Sequence, residues 1–503
     1  MKLIDSLLGK GVAELNYISK IIVLGLVLAA ISRSTLLAAD EKFVGNEIPQ
    51  ATIHYRVNSP ASAAPLLTWS KNPEAVYYQI EFFDDLPEDI SNTEISLHHI
   101  FFSAQVYVNA YMPDLSTFAA DDIGNKAIYW RVRAMDIDGN PMTEFSAPES
   151  IYTDKNLAPV DMPIPTVEYN NENGANLLYP VYSWVGNAGS KKFEVEILDE
   201  LPENPNGTEP SRHRIDVIKA DTCEVYDMTA RSGSKPFYWR VRGFAEDGVT
   251  PVGRYSETRS FVNDPDADWK VAVCGDSISH GGGHISFGPE DWEYSYLTYL
   301  DFSAANLAKS GDTSASMVER FDADIVPFHP KYLIIMDGSN SLRGGTAAGD
   351  IIEDLKALQE KCLDHNIKPV FLTLPPINPD NIKRAFGEDS AEDWQKQMAV
   401  VNDFIRQNLV YIDVAKEFYC SEGVLPTEFA LDGLHLDISG KKKMAHAINE
   451  AWPYVLQEAD EQGKIGPSII KQRDYVHFLL VKGTMIGKEV GAFFEYLWDQ
   501  FLT

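Results

Sequence analysis

Val271-Ala272-Val273-Cys274-Gly275-Asp276-Ser277-Ile278-Ser279 is the stretch on which the reading of this chain turns. An apolar, β-branched run that stops abruptly at Gly-Asp-Ser describes a buried parallel strand delivering a small polar side chain to the mouth of a sheet. Ser277 is therefore the first candidate nucleophile. Outward from it, from Trp269 onward, apolar runs at 270–274, 304–307, 332–336, 369–374 and 410–414 read as strands. Between them Ile351, Leu355, Leu358 and Cys362 keep helical spacing, as do Met398, Val401, Phe404, Ile405 and Leu409. This alternation predicts an α/β layer fold with a parallel sheet, helices on both faces, and functional residues just after the strands.

Residues able to do chemistry stand where that rule puts them. A serine hydroxyl is a poor nucleophile until an imidazole takes its proton, and the imidazole needs a carboxylate to hold its tautomer. Charge that develops on the attacked oxygen needs fixed donors. Ser277 follows the first predicted strand, Asn306-Leu307-Ala308-Lys309-Ser310-Gly311 the second, and Gly338-Ser339-Asn340 the third. Leu431-Asp432-Gly433-Leu434-His435-Leu436-Asp437 precedes a final helical segment.

Together these residues resemble the SGNH, or GDSL, hydrolase superfamily over about 269–458. Gly275-Asp276-Ser277 matches its first block, Gly311 its glycine block, Asn340 its asparagine block, and Asp432-x-x-His435 its last block. The order of the four blocks is more telling than any one of them. The competing α/β-hydrolase elbow wants Gly-x-Ser-x-Gly and an acid remote from its histidine, and neither is present. The resemblance implies a three-layer, flavodoxin-like hydrolase domain acting on esters. It implies Ser277 as nucleophile, His435 as general base and Asp432 as its orienting acid, with an oxyanion hole from the Ser277 and Gly311 backbone N–H groups and the Asn340 amide. One departure stands out: the family's third block reads Gly-x-Asn-Asp, and Ser341 replaces the aspartate.

Other polar residues near these blocks carry blander readings beside functional ones. His280 and His284 flank Gly281-Gly282-Gly283, and with Asp276 they could suggest a metal. The preferred reading is a loop passing close to the substrate with both histidines lining its mouth, and no metal or cofactor. Asp276 reads as a hydrogen-bond acceptor that fixes the nucleophile loop, Arg343 as a substrate contact or a paired arginine, and Asp437 as a helix cap.

Upstream, the chain repeats itself. Leu67-Thr68-Trp69 is echoed by Tyr182-Ser183-Trp184, Tyr78-Gln79-Ile80-Glu81 by Phe193-Glu194-Val195-Glu196, and Tyr129-Trp130-Arg131-Val132-Arg133 by Tyr238-Trp239-Arg240-Val241-Arg242. Period-two alternation broken by turns such as Asp138-Gly139-Asn140-Pro141 predicts two all-β sandwiches. Both are similar to fibronectin type III modules, with Trp69 and Trp184 as core residues. Pro-containing connections suggest a rigid stalk. The predicted plan is a signal peptide or N-terminal anchor at 1–40, sandwiches at 41–158 and 159–264, the hydrolase at 265–460, and an amphipathic extension at 461–503.

Composition limits the partners. A net charge of −31 over 503 residues argues against phosphate-mediated nucleic-acid binding and against adhesion to anionic membranes. The four cysteines show neither zinc-ligand spacing nor a disulfide framework. A basic segment, the apolar run 21–31 and Leu37-Ala38-Ala39 fit export, either secreted or held at the cell surface by an uncleaved N-terminus. Because modular exported members of the superfamily often deacetylate carbohydrate, the expected substrate is an acetylated polysaccharide or glycan. A lipid esterase or lysophospholipase, and a surface binding protein with an inactive hydrolase-like domain, are the alternatives.

Overall fold

The computed structural model describes residues 47–86, 93–116, 127–167 and 176–465; the predicted leader and nearly all of the predicted C-terminal extension lie outside them. Five parallel strands form the predicted sheet: β1 (Val271–Gly275), β2 (Ala305–Asn306), β3 (Tyr332–Met336), β4 (Lys368–Leu372) and β5 (Tyr411–Ile412). Their order is β2-β1-β3-β4-β5. β1 and β3 are buried at every residue, because helices cover both faces; this is why they read as unbroken apolar runs.

Among the described residues seven α-helices alternate with these strands: α1 (Ser277–His280), α2 (Ser314–Asp324), α3 (Ser339–Arg343), α4 (Ala348–Asp364), α5 (Pro379–Phe386), α6 (Trp394–Asn408) and α7 (Ile438–Ile465). In α4 the stripe Ile351, Leu355, Leu358 and Cys362 is fully buried in the hydrolase core, as the spacing predicts. Local signals set the helix ends. Thr313 and Ser316 form a capping box that starts α2, whereas α5 opens with Pro379 after the cap Asn378 and closes at Gly387 with φ +70°.

The region before the hydrolase consists of several antiparallel sheets. In the first repeat His99–Phe102, Tyr77–Phe83, Ile128–Met135 and Glu149–Ile151 pair in that order. In the second, Lys192–Leu198 lies between Arg214–Ala220 and Phe237–Phe244. Repetition extends to the interior: Arg131 pairs with Glu81 at 2.7 Å, and Arg240 with Glu196 at 2.5 Å, all four side chains fully buried. Trp69 and Trp184 are core residues.

The expectation of a stalk is corrected by the contacts. Leu177 forms a parallel bridge to Asn306 of β2, Leu178 N donates to Asn306 O at 3.0 Å, and Leu178 and Tyr179 belong to the hydrolase core. The first repeat also touches the hydrolase. Lys71 Nζ lies 2.8 Å from Asp291 and 2.7 Å from Glu293, Tyr294 donates to the Pro73 carbonyl at 2.8 Å, and Arg384 pairs with Asp138. Prolines in the connections restrict the backbone, but it is apolar and ionic contact with the hydrolase that sets where the repeats lie. Among the described residues no helix is long and apolar enough to cross a membrane.

Candidate active site

β1 ends against its neighbour so closely that a side chain at Gly275 would meet Ser279 Oγ at 2.5 Å and the Met336 carbonyl at 2.9 Å. Only glycine fits there. Asp276 is the N-cap of α1, its carboxylate accepting from Ile278 N at 3.0 Å, and Ser277 is the first helical residue. Burial pushes the Asp276 carboxyl up to about 6.

The last block folds as a tight turn. Asp432 Oδ1 accepts from Leu434 N at 2.9 Å and His435 N at 2.8 Å, which leaves Oδ2 to face His435 Nδ1 at 2.8 Å. Gly433 has φ +80°, and a Cβ there would collide with the Asn378 carbonyl oxygen. The other imidazole nitrogen, Nε2, stands 2.9 Å from Ser277 Oγ. Burial raises the Asp432 carboxyl, yet attraction to His435 and the hydrogen bonds it accepts outweigh that, and its pKa falls below the usual value. Serine, imidazole and carboxylate therefore form one continuous chain.

Loops after β2 and β3 bring the remaining blocks alongside. Leu307 N and Lys309 N donate to Val273 O and Gly275 O at 2.9 and 3.0 Å, drawing the Gly311 loop along β1. Asn340 Nδ2 donates to Asp312 O at 2.9 Å and keeps a second N–H for other use. Gly311 has φ +85° with nothing within 4 Å of where a Cβ would lie. Among the described residues neither the Ser277 nor the Gly311 N–H donates to a protein acceptor.

The departure at Ser341 has a local explanation. Ser341 Oγ accepts from Ser314 N at 3.0 Å, and Ser314 Oγ donates to Asp354 of α4 at 2.7 Å. Asp354 thus supplies, one side chain removed, a carboxylate to brace the third block.

Of the three sequence-predicted pocket residues, His280 and His284 lie elsewhere than expected, and Arg343 takes the paired alternative. His280 is buried, its Nε2 donating to Tyr179 O and its Nδ1 facing Ser310 Oγ, both at 2.8 Å, so it fastens the second repeat instead of lining a mouth. His284 is also buried, packed edge-to-face on Phe287 with ring centroids 4.8 Å apart. Burial lowers both imidazoles to about 4, so they are neutral near pH 7. Arg343 pairs with Glu388 at 2.5 Å. Asp437 does not spend its carboxylate on a helix cap: it accepts from Leu431 N at 2.9 Å and His284 N at 3.2 Å. Among the described residues no three His, Cys, Asp or Glu side chains are grouped to hold a metal ion.

Two residues had no signal in the sequence. Lys441 belongs to the run Lys441-Lys442-Lys443 in the final helical segment, yet it is fully buried and donates to the Ile278 carbonyl of α1 at 2.7 Å. Burial lowers its pKa to about 7, against the pull of Asp276, Asp437 and Asp432. Phe386 is a second such residue, its ring set edge-to-face to His435 with centroids 6.0 Å apart.

The chain matches the GDSL-like lipase/acylhydrolase family over residues 273–443. No curated protein matches it. Similar solved structures include a GDSL-like lipase from Bacteroides thetaiotaomicron, 18% identical, covering 37% of this chain and 87% of that one, with a TM-score of 0.30. A lipase/acylhydrolase from Enterococcus faecalis is 19% identical over 36% of this chain and 94% of that one, TM-score 0.29. A variant of an acetyl-xylooligosaccharide esterase from Geobacillus stearmophilus is 17% identical over 36% and 93%, TM-score 0.29. With its five-stranded parallel sheet and a family match that takes in Ser277, Asp432 and His435, the segment 273–443 is a GDSL-like lipase/acylhydrolase domain.

Proposed function

We propose that the protein is an exported serine esterase of SGNH type whose preferred bond is an O-acetyl ester on carbohydrate. The observation that carries the esterase reading is the chain from Asp432 through His435 to Ser277, with spacings of 2.8 and 2.9 Å. Ser277 Oγ attacks the ester carbonyl while His435 Nε2 takes its proton. Asp432 holds the imidazole and offsets its charge. The N–H groups of Ser277 and Gly311 and the free amide N–H of Asn340 receive the oxyanion. Collapse of the tetrahedral intermediate expels the alcohol, which takes the proton back from His435. Water, activated by the same imidazole, then releases the acid from Ser277.

The carbohydrate part of the proposal rests on resemblance to modular exported esterases and not on a pocket contact. Export rests on the predicted leader at 1–40. The antiparallel sheets of the two repeats support their reading as fibronectin type III-like sandwiches at 41–158 and 159–264, ahead of the hydrolase at 265–460.

Turnover of acetylated oligosaccharide and of short and long acyl nitrophenyl esters, with Ser277→Ala as the control, tests the proposal. Preference for acetyl over long acyl groups supports it, and preference for long chains makes the protein a lipid esterase. No turnover of any ester leaves a binding protein. Asn340→Ala lowers kcat by about 10²–10³ if the amide is an oxyanion donor; near wild-type turnover removes it from that role.

A further inference from the structure

α5 begins inside the hydrolase and ends outside it. At its start Asn378 N donates to Gly433 O of the catalytic turn at 2.8 Å, and Ile382 is fully buried. Its last turn is exposed and held by ion pairs. Arg384 reaches both carboxylate oxygens of Asp138, in a turn of the first repeat, at 2.9 and 2.5 Å. Just past Gly387, Glu388 pairs with Arg343 of α3, the helix that carries Asn340, and Ala391 N donates to Arg343 O at 3.1 Å.

Between these two anchors stands Phe386, 38% exposed, at an interplanar angle of 84° to the His435 ring. A large aromatic side chain left open to solvent beside a reacting imidazole has an apolar face to offer a ligand. Direction follows from the chemistry. The imidazole returns its proton to the departing alkoxide, so the alcohol half of the ester lies on the His435 side of Ser277. An aromatic face there suits the apolar face of a cyclic alcohol.

We propose that Phe386 is a specificity-determining side chain that receives the alcohol half of the ester, a ring-bearing alcohol such as a sugar, and that Asp138 of the first repeat positions it through Arg384. The inference rests on the serine-esterase reading of the same site. It gives the first repeat a part in substrate choice without placing any of its residues in the reaction. Because the Arg384–Asp138 pair is about half exposed, its loss shifts the wall without abolishing it.

The test uses the full chain with benzyl acetate and ethyl acetate, which share an acyl group and differ by a ring in the alcohol. Phe386→Ala lowers the benzyl-to-ethyl ratio of kcat/KM by about tenfold. Asp138→Asn and Arg384→Gln each raise KM for benzyl acetate about threefold with kcat retained, and the double variant is no worse than either single one. Asp161→Asn, which breaks the exposed Arg254–Asp161 pair inside the second repeat, serves as the control and changes neither constant. An unchanged ratio in Phe386→Ala, an additive double variant, or an equal shift in Asp161→Asn overturns the inference alone. Failure of the wild type to turn over either ester, or turnover by Ser277→Ala, overturns the esterase reading and the inference with it.

Discussion

In the second repeat Leu178 and Tyr179 enter the apolar core of the hydrolase, whereas the first repeat reaches the same domain through the polar contacts of Lys71, Pro73 and Asp138. The two repeats share a strand plan and a buried Glu–Arg pair. They differ in how they are attached. Shape alone therefore does not decide what a repeated module does: the second is continuous with the hydrolase, and the first meets it across ionic contacts near the catalytic turn.

The largest expected effects come from the buried pairs. Arg131→Met strands Glu81 at a cost of about 3–5 kcal/mol; Arg240→Met costs less, because Glu196 keeps Arg214 at 2.7 Å and the Ser211 N–H at 2.8 Å. In denaturant unfolding followed by both hydrolase activity and tryptophan fluorescence, Arg240→Met lowers both midpoints together. Arg131→Met lowers the fluorescence transition of the first repeat and leaves the hydrolase midpoint in place. Equal behaviour of the two variants would break the comparison.

Next comes the joint itself. Leu178→Ala opens a cavity in the hydrolase core and destabilises that domain by about 2–5 kcal/mol. Lys71→Met, at the partly exposed junction of the first repeat, costs about 1 kcal/mol. Chemical denaturation of both variants measures the contrast, and a larger loss for Lys71→Met contradicts it.

A pH experiment sharpens the link between the first repeat and the catalytic turn. The loop that carries Asp291, Glu293 and Tyr294 toward the first repeat also carries His284, whose N–H donates to Asp437. Burial raises the Asp437 carboxyl to about 7, against about 4 in an unfolded chain. Between those values the folded chain binds more protons than the unfolded one, so stability falls as pH rises through that window. Asp437→Asn removes the titration. From about pH 5 to about pH 8 the wild type then loses about 3 kcal/mol more than the variant; parallel losses mean that Asp437 is not the titrating group.

Much of the hydrolase was legible in the sequence because its signals are local. A strand buried on both faces must be an apolar run, so β1 and β3 were placed within a residue of where they lie. Gly275 and Gly433 leave no room for a side chain, and the first three blocks follow the ends of β1, β2 and β3. What could not be read depends on distant partners. His280 looked like a pocket residue because Tyr179, which takes its N–H, lies 101 positions away. Lys441 sits in a basic run that no periodicity separates from solvent, and Ser341 looked like a weakened block because Asp354 is contributed by another helix. The docking of the repeats was invisible for the same reason.

The central claim is that Ser277 is the nucleophile of a working triad. Treating the intact protein with a fluorophosphonate and locating the adduct by peptide mass spectrometry tests it most directly. The account predicts a single adduct on Ser277, complete loss of ester turnover, and no labelling of His435→Ala. An adduct elsewhere, or turnover that persists after Ser277 is fully labelled, contradicts it.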